Sequence, residues 1–127
     1  MSMITRRDKI MAHLNRYIHI RPDSEFCAPF EITQDGIAAS VGITRNHVSI
    51  LLGEMVKKGE VTIGFATIRG ISAKKRKVYL LTMLGRNTLK DKIDSLVAGG
   101  YPLGELGVDL TRMTMDEVRR SVGDYLD

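Results

Sequence analysis

Arg45, Asn46 and Ser49 lie on the stretch GITRNHVSILLGEM, residues 42–55. An arginine can pair with the O6 and N7 edge of guanine. An asparagine can pair with N6 and N7 of adenine, each such pair giving about 1–3 kcal/mol of discrimination. A serine suits a phosphate or a base edge. Thr44, His47 and Ile50 complete this candidate contact set: Ile50 is of a type that covers a thymine methyl, and His47 suits a phosphate contact, packing or a pH response. A second cluster holds Arg69, Lys74, Lys75, Arg76 and Lys77, all within nine residues around Gly70. Cations so crowded on a turn-rich segment suit a polyanion, lying along phosphates or entering a minor groove. Their alternative is a solvated loop.

Elements of defined type must hold these groups in place. Val48, Leu51, Leu52, Met55 and Val56 recur at helical spacing behind Thr44, which predicts a helix over residues 44–58. With Val48, Leu52 and Met55 inward, Arg45, Asn46, Ser49, Ile50 and Gly53 face out. Thr33 is expected to cap a preceding short helix, TQDGIAASV, with Ile37, Ala38 and Val41 inward. Upstream, Thr5 is the expected cap of a first helix striped by Ile10, Leu14, Tyr17 and Ile18 and ended by Pro22. Pro29 limits PDSEFCAPFEI to a short edge piece.

Downstream, Val61, Ile63 and Phe65 alternate as on a half-buried strand. RGISAKKRK reads as a basic excursion, and VYLLT as the returning strand. Thr82 then caps a fourth helix, about residues 83–98, with Leu89, Ile93, Leu96 and Val97 on one side. GYPLGELGVDL is expected to be a loop. Thr114 and Glu117 form a capping box for a last helix. The expected class is α+β, mainly α with a small β-hairpin: a three-helix core, a wing and C-terminal helices. Domain organisation follows as residues 1–98 for the winged unit and 99–127 for a loop and helix suited to dimerisation or linkage.

The two middle helices carry a tighter pattern. Close approach of the second helix to the third requires a small residue, Ala38. Four positions on, the turn requires glycine, Gly42, and six further an aliphatic wedge, Val48. Ile37, Val41, Ile43 and Leu51 are apolar, as the flanking core positions must be. On these residues the chain resembles the helix-turn-helix family of DNA-binding domains. The segment GITRNHVSILLGEMVKKGEV, followed by KKRKVYLLTMLGR, looks like MarR-type winged-helix transcription regulators, especially archaeal members. The likeness includes Leu81, Thr82, Gly85 and Arg86 after the wing and covers residues 5–98. It implies duplex DNA as partner, reading by the helix, and wing arginines on the backbone. Ile50 and Gly53 depart from the family's usual long polar residues, which confines base reading to the first turns.

Charge agrees with this placement. Residues 1–21 carry +4, residues 22–43 carry −4, residues 44–90 carry +8 and residues 91–127 carry −4, for a net charge of +4. The acidic tail is therefore expected to sit away from phosphates. No run of apolar residues is long enough to span a membrane, and the N-terminus has no signal-peptide core. Cys27 is the only cysteine, which excludes an internal disulfide, fits a cytoplasmic location and suggests a small buried apolar residue. His13, His19 and His47 are scattered, so neither a metal nor another cofactor is expected. No nucleophile–base pairing can be placed, so the chain is expected not to be an enzyme.

Two apolar helical stripes beyond the core predict a homodimer through residues 83–127. A small effector between the first and fourth helices is conceivable, though no residue identifies one. Two alternatives stand beside the DNA-binding regulator. One is a winged helix used as a protein-interaction module, with Ile50 and Leu51 in an apolar docking face. The other is the N-terminal DNA-binding part of a longer protein.

Overall fold

Each of the four helices in the computed structural model, which describes residues 4–20, 27–70 and 72–106, begins on a threonine. Thr5 precedes α1 (Arg6–Asn15), Thr33 precedes α2 (Gln34–Val41), Thr44 precedes α3 (Arg45–Lys57) and Thr82 precedes α4 (Met83–Ala98). In every case the hydroxyl accepts a hydrogen bond from the backbone N–H three residues on, at 3.1–3.2 Å. At Thr5 the Asp8 carboxylate returns the bond from the Thr5 N–H at 2.9 Å, closing a capping box. Such caps satisfy donors that a helix start leaves open, each contributing about 1 kcal/mol.

Between α3 and α4 lie β1 (Val61–Ile68) and β2 (Ser72–Leu81), an antiparallel pair. The architecture is α+β, mainly helical and winged-helix-like. Its core joins Ile10, Met11 and Leu14 of α1 with Ile37 of α2 and Val48, Leu52 and Met55 of α3. Val78 and Leu80 of β2 and Leu89, Ile93 and Leu96 of α4 close it. The expected short edge piece is present: the Ala28 N–H donates to Thr67 O at 2.8 Å, and the Arg69 N–H donates to Ala28 O at 3.1 Å.

Four expectations need correction. The first helix stops at Asn15, well before Pro22, which lies outside the described residues. Bonds from the Tyr17 N–H to Leu14 O and from the Ile20 N–H to Tyr17 O tighten the chain there. Tyr17, Ile18 and Ile20 thereby pack against the core as a turn. On β1 Val61 is buried as expected, but beyond it the buried face runs through Gly64, Ala66 and Ile68, and Ile63 and Phe65 are exposed. Small residues let the strand lie close to the helices, and the alternation then turns the larger ones out.

Cys27 is exposed, its Sγ 3.5 Å from the Thr67 hydroxyl, because it flanks the edge bridge. The described part of GYPLGELGVDL, residues 100–106, is also more than loop. Leu103 and Leu106 are buried in the core around a single 3-10 turn, Gly104–Leu106. The last helix expected after Thr114 lies outside the described residues.

Candidate nucleic-acid interface

The turn between α2 and α3 is built as its residue types demand. Gly42 sits at φ 79°, ψ 34°, a left-handed conformation that costs a side-chain-bearing residue free energy. Both the Gly42 and Ile43 N–H groups donate to Ala38 O, at 2.9 and 3.2 Å. Ala38 is half-buried against the core and Val48 is fully buried. These three positions set the angle at which α3 leaves the domain.

With Val48, Leu52 and Met55 buried, the opposite side of α3 presents Thr44, Arg45, Asn46, Ser49, Ile50 and Gly53 to solvent, while His47 is half-buried. Ile50 is 63% exposed, so it contributes little to the domain's own core. A Cβ added at Gly53 would meet no atom within 4 Å, which leaves room for another surface to approach the backbone. Two of the outward residues are held within the molecule. The Arg45 Nε lies 3.1 Å from Asp35 Oδ1, and the Arg45 carbonyl accepts from Gln34 Nε2 at 3.2 Å. His47 Nδ1 lies 3.0 Å from the Arg6 guanidinium, which donates to it. Arg6 and Asp35 had no signal in the sequence, since only the folded arrangement of α1 and α2 against α3 brings them near.

The basic cluster lies differently from the turn-rich excursion expected of RGISAKKRK. Lys74, Lys75, Arg76 and Lys77 belong to β2 itself, and the tip is left to Arg69 and Gly70. Register pairs Lys77 with Phe65, Arg76 with Ala66 and Lys75 with Thr67, with an irregularity at Thr67/Ile68. Arg69 and all four strand cations are exposed. Regular pairing holds Lys75, Arg76 and Lys77 in extended backbone, so these three alternate between the two faces of the hairpin.

The root of the hairpin is fixed at one place. The Thr82 hydroxyl donates to Gly59 O at 2.5 Å and the Thr82 N–H to Glu60 O at 3.0 Å. Gly85 packs so closely that a Cβ there would lie 2.1 Å from Glu60 O. Glu60 is buried and paired with Arg7 of α1. Thus Thr82 and Gly85 in the sequence Leu81–Thr82–x–x–Gly85–Arg86 join the end of α3, both strand roots and the start of α4.

Elsewhere, an open cleft of about 310 Å³ lies beside α1, between Lys9, His13 and Arg16, the α2 residues Ser40 and Val41, and Leu106. This differs from the position between the first and fourth helices considered for an effector. His13 Nε2–H donates to Glu31 O at 2.7 Å. Burial holds its pKa below the ordinary value near 6.5, outweighing that hydrogen bond. Among the described residues no group of His, Cys, Asp or Glu is arranged to hold a metal ion, and no helix is long and apolar enough to cross a membrane. Comparison with protein-family models, curated proteins and solved structures returned no match.

Proposed function

We propose that this chain is a DNA-binding transcriptional regulator of the MarR-like, archaeal winged-helix type. α3 enters the major groove through Arg45, Asn46 and Ser49, with Thr44, His47 and Ile50 alongside. The wing holds the backbone or minor groove through Arg69, Lys74, Lys75, Arg76 and Lys77. The observation that carries this reading is a core-anchored helix with an outward polar first turn, followed by a strand bearing four consecutive exposed cations. A rigid helix with exposed N-terminal polar groups suits base edges, and a basic ribbon suits phosphates.

Neutralising about five phosphates gives a slope of log K against log salt near −4 to −5. Selection of bound duplexes from a random pool at two salt concentrations tests both halves. A shared motif supports base reading, recovery without a motif leaves only backbone binding, and salt-independent affinity defeats the proposal.

A homodimer remains part of this reading. The apolar side of α4, Leu89, Ile93, Leu96 and Val97, is buried in its own core. Within residues 83–106 the large apolar side chains left exposed for a partner chain are Met83, Leu84 and Tyr101. Light scattering giving a particle of 14.2 kDa at micromolar concentration would refute the dimer.

The exposed Ile50 favours a second reading, a protein-interaction module in which it and Leu51 dock a partner. Alanine at Lys74, Lys75 and Arg76 discriminates the two. It should abolish DNA binding under the first and leave a partner contact intact under the second.

A further inference from the structure

Phe65 is 57% exposed on a regularly paired strand, while the smaller Gly64 and Ala66 beside it take the core face. A hairpin shaped by packing alone would bury the ring. Lys77 stands directly across from Phe65, and Lys75 lies across from Thr67 on the same face. Opposed side chains in such a ladder are about 4.5–5.5 Å apart at Cβ, and diagonal ones about 7–8 Å, so both lysine side chains are long enough to flank a group stacked on the ring. Lys75 and Lys77 are two positions apart along β2, about 6.8 Å for an extended strand. Residues 61–81 contain no acid, so neither strand of the hairpin sets a carboxylate beside Phe65.

We infer that this outer face of the hairpin takes an unpaired nucleotide, its base stacked on Phe65 and its flanking phosphates held by Lys75 and Lys77. The inference rests on the DNA-binding reading and specifies its substrate: a duplex with a single-stranded extension or an opened end. Bases inside a duplex are stacked on both sides and offer only their edges. An aromatic ring exposed on a strand face therefore finds a free base face only where pairing has ended. The lysines add backbone attraction without sequence preference.

The test uses the full chain with two probes, a blunt duplex and the same duplex with a short single-stranded tail carrying 2-aminopurine. The wild-type protein should bind the tailed probe more tightly and quench its fluorescence. Phe65→Ala should weaken tailed binding by about fivefold to a hundredfold and abolish the quench, leaving blunt affinity and the salt slope unchanged. Phe65→Trp should keep both. The double variant Lys75→Ala, Lys77→Ala should instead reduce the tailed-probe slope by about 1.4.

Equal wild-type affinity for the two probes, or an equal loss on both in Phe65→Ala, overturns the inference and spares the duplex reading. Failure to bind either probe defeats both. Binding of the tailed probe alone defeats the duplex reading and keeps the stacking. Thermal melting of each variant separates these outcomes from unfolding, and Phe65→Leu, apolar but without a flat face, should behave as the alanine variant does.

Discussion

Arg45 on α3 is tied to Asp35, and His47 to Arg6, whereas Lys75, Arg76 and Lys77 on β2 extend into solvent from a paired strand. In the proposed contact the helix must exchange internal partners for base edges, while the strand offers Lys75, Arg76 and Lys77 without that exchange. The Arg45–Asp35 pair is exposed, so breaking it costs at most about 1 kcal/mol. The difference teaches a division of labour. Under the proposed function the helix side serves selectivity, because only a base that matches recovers what the internal bonds gave up, and the strand side serves adhesion, because any phosphate suffices.

Removing the strand's charge should have the largest effect. The triple variant Lys74→Ala, Lys75→Ala, Arg76→Ala should reduce the salt slope by about 2.7 and abolish binding near physiological salt, as fluorescence anisotropy across a salt series can record. An unchanged slope would erase the contrast between the two regions. Asn46→Ala should relax preference at one base pair by about 1–3 kcal/mol while keeping the slope, read by repeating the duplex selection. A variant that weakens all sequences equally would place Asn46 on the backbone instead.

A smaller change is expected from Asp35→Asn. Freeing Arg45 and removing a carboxylate should raise affinity for mismatched duplexes up to about fivefold and narrow the gap to the best site. Lower affinity on every duplex would mean that Asp35 aims Arg45 rather than restrains it.

The smallest effect concerns His13, which ties α1 to the approach of α2. Its folded pKa lies below its ordinary value, so the unfolded chain takes up the proton first as pH falls. The stabilisation is therefore complete above about pH 6.5 and declines as pH falls towards the folded pKa. Melting temperatures from pH 7.5 to 5 should drop in the wild type and drop less in His13→Gln. Hydrogen exchange should loosen α1 before the hairpin.

Much of the helix half was legible in the sequence because its constraints are local. Thr5, Thr33, Thr44 and Thr82 mark helix starts by satisfying neighbouring donors, and Gly42 marks a turn that needs a left-handed residue. The hairpin was less legible for a physical reason. The far half of β2 has exposed cations on both faces, so it carries no alternating apolar signal, and four cations in a row resemble a loop. Gly64 and Ala66 are buried by virtue of small size, which hydropathy does not register, so the face of β1 beyond Val61 was inverted. Arg6 and Asp35 became visible only when three helices met.

The junction at Thr82, Gly85 and Glu60 has one more consequence. It joins the end of α3 to the roots of both strands, with no intervening linker to absorb a change of angle. Under the proposed function the helix and the ribbon act as the jaws of a calliper whose opening is set by the fold. A duplex is then judged by the spacing of its grooves as well as by its bases, and sequences that bend or narrow easily are favoured at positions no side chain touches.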